Sequence, residues 1–495
     1  MSSWMWVILI AVVALMLAVL AGADRPDGTT SQDEAADGTA TDDDDTDGSD
    51  TTDTSAVATT PDPTEGPGDP AQARPSFAPA PAVPSGPISA PITAMLDQLV
   101  ANPAVPDLDA VTALGGSEDP RVLWVLSDVL RLASDQATYD STTDAASALA
   151  GVDLRTLGDF SWGPLTDHLI AWDLPAFDGY TAYKQALFTA LEPGWQPFFA
   201  DADSTIDWRL VSWGGVRIDD RPLGDASPCP GGCIPSLDDP VRVPAADGDY
   251  YPDDAIVFGV RIGEEAVALP RNMMEVHEMV NATIGGRRVA IPYCTLCGAA
   301  QVFFTDIEGG GTGEIVMRTS GLLRRSNKVM YDLTTLSVFD TFTGEALSGP
   351  LQDAGTQLQQ STVVTTAWAA WRAANPDTTI IAEDGGIGRS YPLDPLRGRD
   401  DDGPIFPIGE RDDRLAVQEP VLGVVLGDGT TIAFPVAAVL EALAAGEEVT
   451  LAGVQVREEA GGVVAEVQGR SHPSHQAFWF AWSQFHPDTL LWDGS

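Results

Sequence analysis

The sequence predicts an α+β protein with an N-terminal membrane anchor, a disordered stalk, a helical (HEAT-like) region and a C-terminal β-rich mixed domain. Three observations predict it. Residues Trp4 to Ala23 form an uninterrupted apolar run long enough to span a bilayer. Between Ile88 and Phe199 the apolar residues recur at helical spacing. After Asp207 they fall instead into short β-rich runs separated by Gly, Asp and Pro. At 495 residues the chain is long enough for two or three domains, each with its own core.

Residues 1–23 read as a transmembrane anchor or a signal peptide. Ala21-Gly22-Ala23 has the small-x-small pattern of a signal-peptidase site. The run is long for a signal, however, and no Lys or Arg precedes it, which favours an uncleaved anchor. The following segment has one Arg among twelve acidic residues between Asp24 and Asp53, which disfavours holding it in the cytoplasm. The expectation is a cell-membrane protein with the bulk of the chain extracytoplasmic, or a secreted one if the signal is cleaved. Residues 24–90 are rich in Asp, Thr, Ser and Gly and then in Pro and Ala, so they bury too little apolar surface to offset the entropy of ordering.

Residues 91–206 form the helical region. Val122, Leu123, Leu126, Val129, Leu130 and Ala133 mark one apolar helix face, with Ser117-Glu-Asp-Pro120 as its entry. Thr112 to Leu126 resembles one unit of a HEAT-type repeat, without three clear copies. Residues 207–495 form the β-rich domain, with runs such as Ala255 to Ile262, Arg288 to Ile291, Gln301 to Phe304, Ile315 to Arg318 and Lys328 to Tyr331. Helices near Asn272 to Asn281 and Ala367 to Ala374 interrupt them, and the aromatic segment Gln476 to Phe485 closes the domain.

Formal charge is −47, and of 26 basic residues only Lys184 and Lys328 are lysines. Nucleic acid is therefore excluded as a partner, because phosphates demand clustered Lys and Arg. The membrane is met through the N-terminal segment, and a protein or small-molecule partner stays open.

Chemistry centres on four cysteines. Cys294-Thr-Leu-Cys297-Gly298 ends the apolar run Val289 to Tyr293, and Cys229 and Cys233 form a second close pair in Pro228-Cys-Pro-Gly-Gly-Cys. In an oxidising compartment nearby thiols pair unless a metal or a reductant holds them, and the second pair reads as a loop-pinning disulfide. Cys294 and Cys297 precede Gly298 as in a zinc knuckle, so they are candidate ligands for copper or zinc. His277, and His475 or His486 from the C-terminal segment, would complete such a site, with Glu278 as a base or an outer partner. Two alternatives stand beside it: a thiol–disulfide redox protein using Cys294 and Cys297, and a non-catalytic surface module with structural disulfides. Glu278, Cys294 and Cys297 are the catalytic candidates, without a reaction that would make the chain an enzyme. His277 and Asn281 stand four apart, which would put them on one helical face; Asn281 replaces the second His of a zinc protease.

Met274-Glu-Val-His-Glu-Met-Val-Asn281, Tyr293-Cys-Thr-Leu-Cys-Gly298 and Ser320-Gly-Leu-Leu-Arg-Arg-Ser-Asn-Lys-Val-Met-Tyr-Asp332 occur in order. Phe342 to Leu351, Trp368-x-x-Trp-Arg-x-x-x-Pro-Asp377 and Ala477 to Asp488 follow them. Together they resemble the "domain of unknown function 3179" family over about Trp208 to Trp492. The resemblance implies no reaction, and Cys229 and Cys233 fall outside its pattern.

Overall fold

The structure is a computed structural model that describes residues 77–229, 231–306, 314–398 and 403–494. The expected anchor, residues 1–23, and residues 24–76 of the stalk lie outside the described residues. Among the described residues no helix is long and apolar enough to cross a membrane.

The fold class differs from the α+β expectation. The β-rich half is divided among five small sheets in a propeller-like arrangement. Strands of two to eight residues are too short to build one wide sheet. The HEAT-like expectation is also overturned. Repeat units stack in one dimension, each touching only its neighbours. Here the helix Leu123–Leu132 sits at the centre, packed against Gln136–Ala150, Trp162–Ala171, Tyr180–Leu191 and the strand Val211–Trp213. Every residue from Leu123 to Leu130 is buried, including Ser127 and Asp128. A helix buried all round is a core helix, and this core runs on into Leu322, Val329 and Tyr331 of the first sheet.

That first sheet orders its strands as Val211–Trp213, Met317–Arg324, Asn327–Asp332 and Val338–Asp340. The other four sheets form two copies of one unit. In the first copy, Ile256–Ile262 pairs antiparallel with both Glu265–Pro270 and Val363–Ala367, and Thr379–Ile381 adds parallel to Glu265–Pro270. In the second, Pro420–Val425 pairs antiparallel with Thr431–Pro435 and Ser474–Phe478, and Leu490–Leu491 adds parallel to Thr431–Pro435. Each copy inserts a second antiparallel sheet. In the first it runs Met279–Ile284, Arg287–Cys294, Val302–Phe304 and Gln360–Ser361. In the second it runs Val449–Leu451, Val454–Glu459, Gly462–Val467 and Arg470–His472.

The copies agree in detail. Trp371 Nε1 donates to Thr378 Oγ1 at 2.9 Å, and Trp482 Nε1 donates to Thr489 Oγ1 at 2.9 Å. Trp371 lies against Gly259 and Trp482 against Gly423, at matching register positions where a Cβ would collide with the ring. What differs is what each copy adds. In the second, a tight turn at Ala460 and Gly461 joins Val454–Glu459 to Gly462–Val467. In the first, the corresponding connection carries the Cys294 to Gly298 loop, and the whole Met317–Asp332 hairpin is inserted before Gln360–Ser361.

Candidate functional site

Those two additions meet. The hairpin of Met317–Arg324 and Asn327–Asp332 turns at Arg325 and Ser326, whose φ values are 48° and 68°. A two-residue turn with both φ positive suits Asn-Gly best, so these side chains are held at a backbone cost. Facing it, Thr295–Cys297 form one 3₁₀ turn after the strand Arg287–Cys294, closed by Gly298 at φ 59°. A Cβ on Gly298 would come within 3.0 Å of the Phe478 ring, which explains the glycine of the Cys-x-x-Cys-Gly string.

The turn folds the two free, buried cysteines together, with their sulfurs 2.7 Å apart. The Cys297 thiol also reaches Ser326 O at 3.5 Å and Asn327 Oδ1 at 3.4 Å. Burial, and then the Cys294 sulfur beside it, push the Cys297 thiol well above its ordinary range, so it stays protonated.

Glu278 joins this pair to the rest of the site. It caps the helix Arg271–His277 in the left-handed region at φ 52°, where glycine is the default. The second copy continues one residue in the right-handed region, Ala445, before its left-handed Gly446 at φ 80°. The Glu278 carboxylate accepts from Thr295 Oγ1 at 3.1 Å and pairs with Lys328 Nζ at 3.1 Å, and its carbonyl also accepts from Lys328. Burial lowers Lys328 from the usual lysine range, while Glu278 and then Cys294 pull it back up. Glu278, Thr295 and Lys328, with Glu275 and Thr319, are the polar lining of a cavity of about 120 Å³. The rest of its lining is mostly apolar, with Val216, Ile234, Val276, Leu322 and Phe406 in it. Thr295 and Leu296 line it, so the sulfurs lie one residue behind its wall.

The histidines lie elsewhere. His277 Nδ1 meets Pro235 O and Nε2 meets Tyr391 Oη, both at 2.7 Å, so both ring nitrogens are occupied. Asn281 does not share a helical face with His277, because the helix ends at His277 and Asn281 lies on the strand Met279–Ile284. There it spans Asp238 Oδ1 at 2.9 Å and Met317 O at 3.0 Å. His475 takes Gln360 Nε2 at 2.8 Å, and the His486 ring lies 4.3 Å from that of Trp482. Cys229 and Cys233 form a disulfide. Among the described residues, only Asp219, Cys229 and Cys233 bring three possible metal-ligand atoms within 4.8 Å of one another. Asp219 already accepts from Arg221 Nε and from Ser236 N, both at 2.7 Å.

Sequence reasoning missed Lys328, Thr295 and the cavity. One signal was available: the chain has only two lysines.

Burial sets a testable acid response. It lowers His277 and His475 from 6.5 to about 3. Between about pH 6.5 and 3 the unfolded chain therefore binds protons that the folded chain refuses, and stability falls as pH falls. Each imidazole contributes a slope of about 1.4 kcal/mol per pH unit inside that window. Urea midpoints measured across the window should show His475→Val, which installs the residue of the matching position Val364, with a slope shallower by about one proton. An unchanged slope would place the loss on other groups.

Fold and site together define a propeller-like β protein with a buried Cys-x-x-Cys pair behind a Lys–Glu-floored cavity. Residues 231–468 match the family described as Protein of unknown function (DUF3179), the family that the sequence resembles. The match contains the Cys294 to Gly298 loop, Lys328 and Glu278. No curated protein and no solved structure matches the chain.

Proposed function

We propose that Cys294 and Cys297 act as a thiol–disulfide redox couple. One observation carries the reading: the two sulfurs stand 2.7 Å apart on a turn that the second copy lacks. Two thiolates on one tetrahedral zinc, each about 2.3 Å from the ion, stand about 3.8 Å apart. The copper or zinc reading has less support, since His277 is occupied at both nitrogens.

The oxidant is an external disulfide. Cys294 attacks it, because burial holds the Cys297 thiol in its protonated form, and the attack forms a mixed disulfide and releases one thiol. Cys297 then loses its proton and displaces the second thiol. The balance is one dithiol and one disulfide giving the Cys294–Cys297 disulfide and two thiols. Such exchange suits the extracytoplasmic setting expected from the N-terminal run.

Single substitutions separate the roles. After exposure to oxidised glutathione, Cys297→Ser should accumulate a stable mixed disulfide on Cys294, seen as one added glutathione by mass. Cys294→Ser should accumulate several-fold less. Equal labelling of the two variants would refute the assigned order of attack.

A further inference from the structure

The cavity in front of the cysteines has features that thiol exchange does not use. Lys328 lines it, in a chain that keeps only one other lysine. That other lysine, Lys184, is a built-in contrast. It is fixed between Asp128 Oδ1 at 2.5 Å and Tyr180 Oη at 3.2 Å, beside a space of about 20 Å³, room for little more than a water. Lys328 instead faces about 120 Å³, approaching the roughly 150 Å³ of apolar cavities that accept benzene. Ile405, which is 50% exposed, marks where this space meets solvent.

Of the three donors of a lysine ammonium, two are directed to Glu278, to its carbonyl and to its carboxylate. The carboxylate is itself oriented by Thr295 Oγ1, so the acceptor for a lysine proton stands in a fixed place 3.1 Å from Nζ. Glu278 keeps this place in the left-handed conformation where glycine is the default, which points to a use for its side chain.

We propose that Lys328 is an imine-forming amine and that the cavity takes a small aldehyde or ketone with an apolar body. Lys328 passes one proton to Glu278 Oε2, and the freed nitrogen adds to the carbonyl carbon. The resulting carbinolamine loses its hydroxyl as water with a proton returned by Glu278, leaving a C=N bond to Nζ. Atoms balance as amine plus carbonyl giving imine plus water, and no electrons are transferred. Desolvation of the ammonium by the apolar walls favours the neutral amine that this step needs. Apolar walls select the body of the compound, and a charged or highly polar carbonyl compound would lose its hydration on entry without recovering it.

The test uses the full chain with benzaldehyde as probe and sodium borohydride as the trap, read by intact mass and peptide mapping. The expected result is a single reductively alkylated side chain, Lys328, labelled at least tenfold faster than Lys184. Glu278→Gln should slow labelling of Lys328 by at least tenfold, while a folded Cys294→Ser, Cys297→Ser double variant should label at least as fast as the parent does. That variant separates this inference from the redox reading, which it removes. Labelling confined to the N-terminal amine, or Lys328 labelled no faster in the folded chain than in urea, would overturn the proposal.

Discussion

Arg318→Leu is expected to lower the stability of the folded chain by about 3–5 kcal/mol, the range for breaking a buried ion pair from one side. Arg318 is fully enclosed, and its guanidinium grips Asp238 with two bonds, Nη1 to Oδ1 at 2.9 Å and Nη2 to Oδ2 at 2.7 Å. Asp238 also accepts from Gly224 N and from Asn281 Nδ2. This group joins the first sheet to the edge strand Leu237–Asp238 of the second, and thus fixes the hairpin that carries Lys328. Burial alone would raise the Asp238 carboxyl, and Arg318 overrides it to hold the group below its ordinary value. Removing the arginine leaves a desolvated carboxylate with neutral donors alone. The double variant Arg318→Met, Asp238→Asn should lose much less than the single one, because neither member of the pair is left charged without its partner, while Asp219 keeps its pairing with Arg221. Urea unfolding measures both, and a single-variant loss below about 1 kcal/mol would show that the pair is dispensable.

Gly423→Ala should cost about 3 kcal/mol, the upper end for forcing extra volume into a packed core. A Cβ there would lie 2.0 Å from Trp482 Cζ3 and 2.3 Å from Cε3. The ring cannot retreat, since Trp482 is fully buried and its Nε1 is tied to Thr489 Oγ1. Gly259→Ala meets Trp371 in the same way, with the nearest ring atom at 2.3 Å and the indole tied to Thr378 Oγ1. Because the copies share this arrangement, the two substitutions should cost about the same. A large loss in one and none in the other would mean that the two glycine–tryptophan contacts are not equivalent.

That repeat was present in the sequence, in Trp368-x-x-Trp followed by Pro376-Asp-Thr378 and in Trp479-x-x-Trp followed by Pro487-Asp-Thr489. Read one at a time, the two strings serve only as family signatures; set side by side, they specify the same strand–helix–strand unit. The β texture after Asp207 was readable, since β-branched and aromatic runs between Gly and Asp are a local signal. How the strands divide into sheets was not, because pairings such as Val211 with Arg324 and Ser361 with Val302 join distant segments. The Leu123–Leu130 stretch read as one apolar face, yet burial extends to Asp128, which is satisfied by Lys184 and Tyr180 from another helix. At the site, the Cys-x-x-Cys-Gly string located the turn. Counting histidines suggested ligands, but burial and hydrogen bonds account for His277. Lys328 was hidden within a β-like run, and only the scarcity of lysine set it apart.

The most direct test of the redox reading is a thiol count on Cys294 and Cys297 across glutathione buffers of graded potential, with copper and zinc measured on the same chelator-free sample. The account predicts that both thiols titrate together as one two-electron step, with Cys229 and Cys233 oxidised throughout and the metal content near zero. Two thiols that stay reduced at every potential, or that become countable only when a chelator removes bound metal, would contradict it.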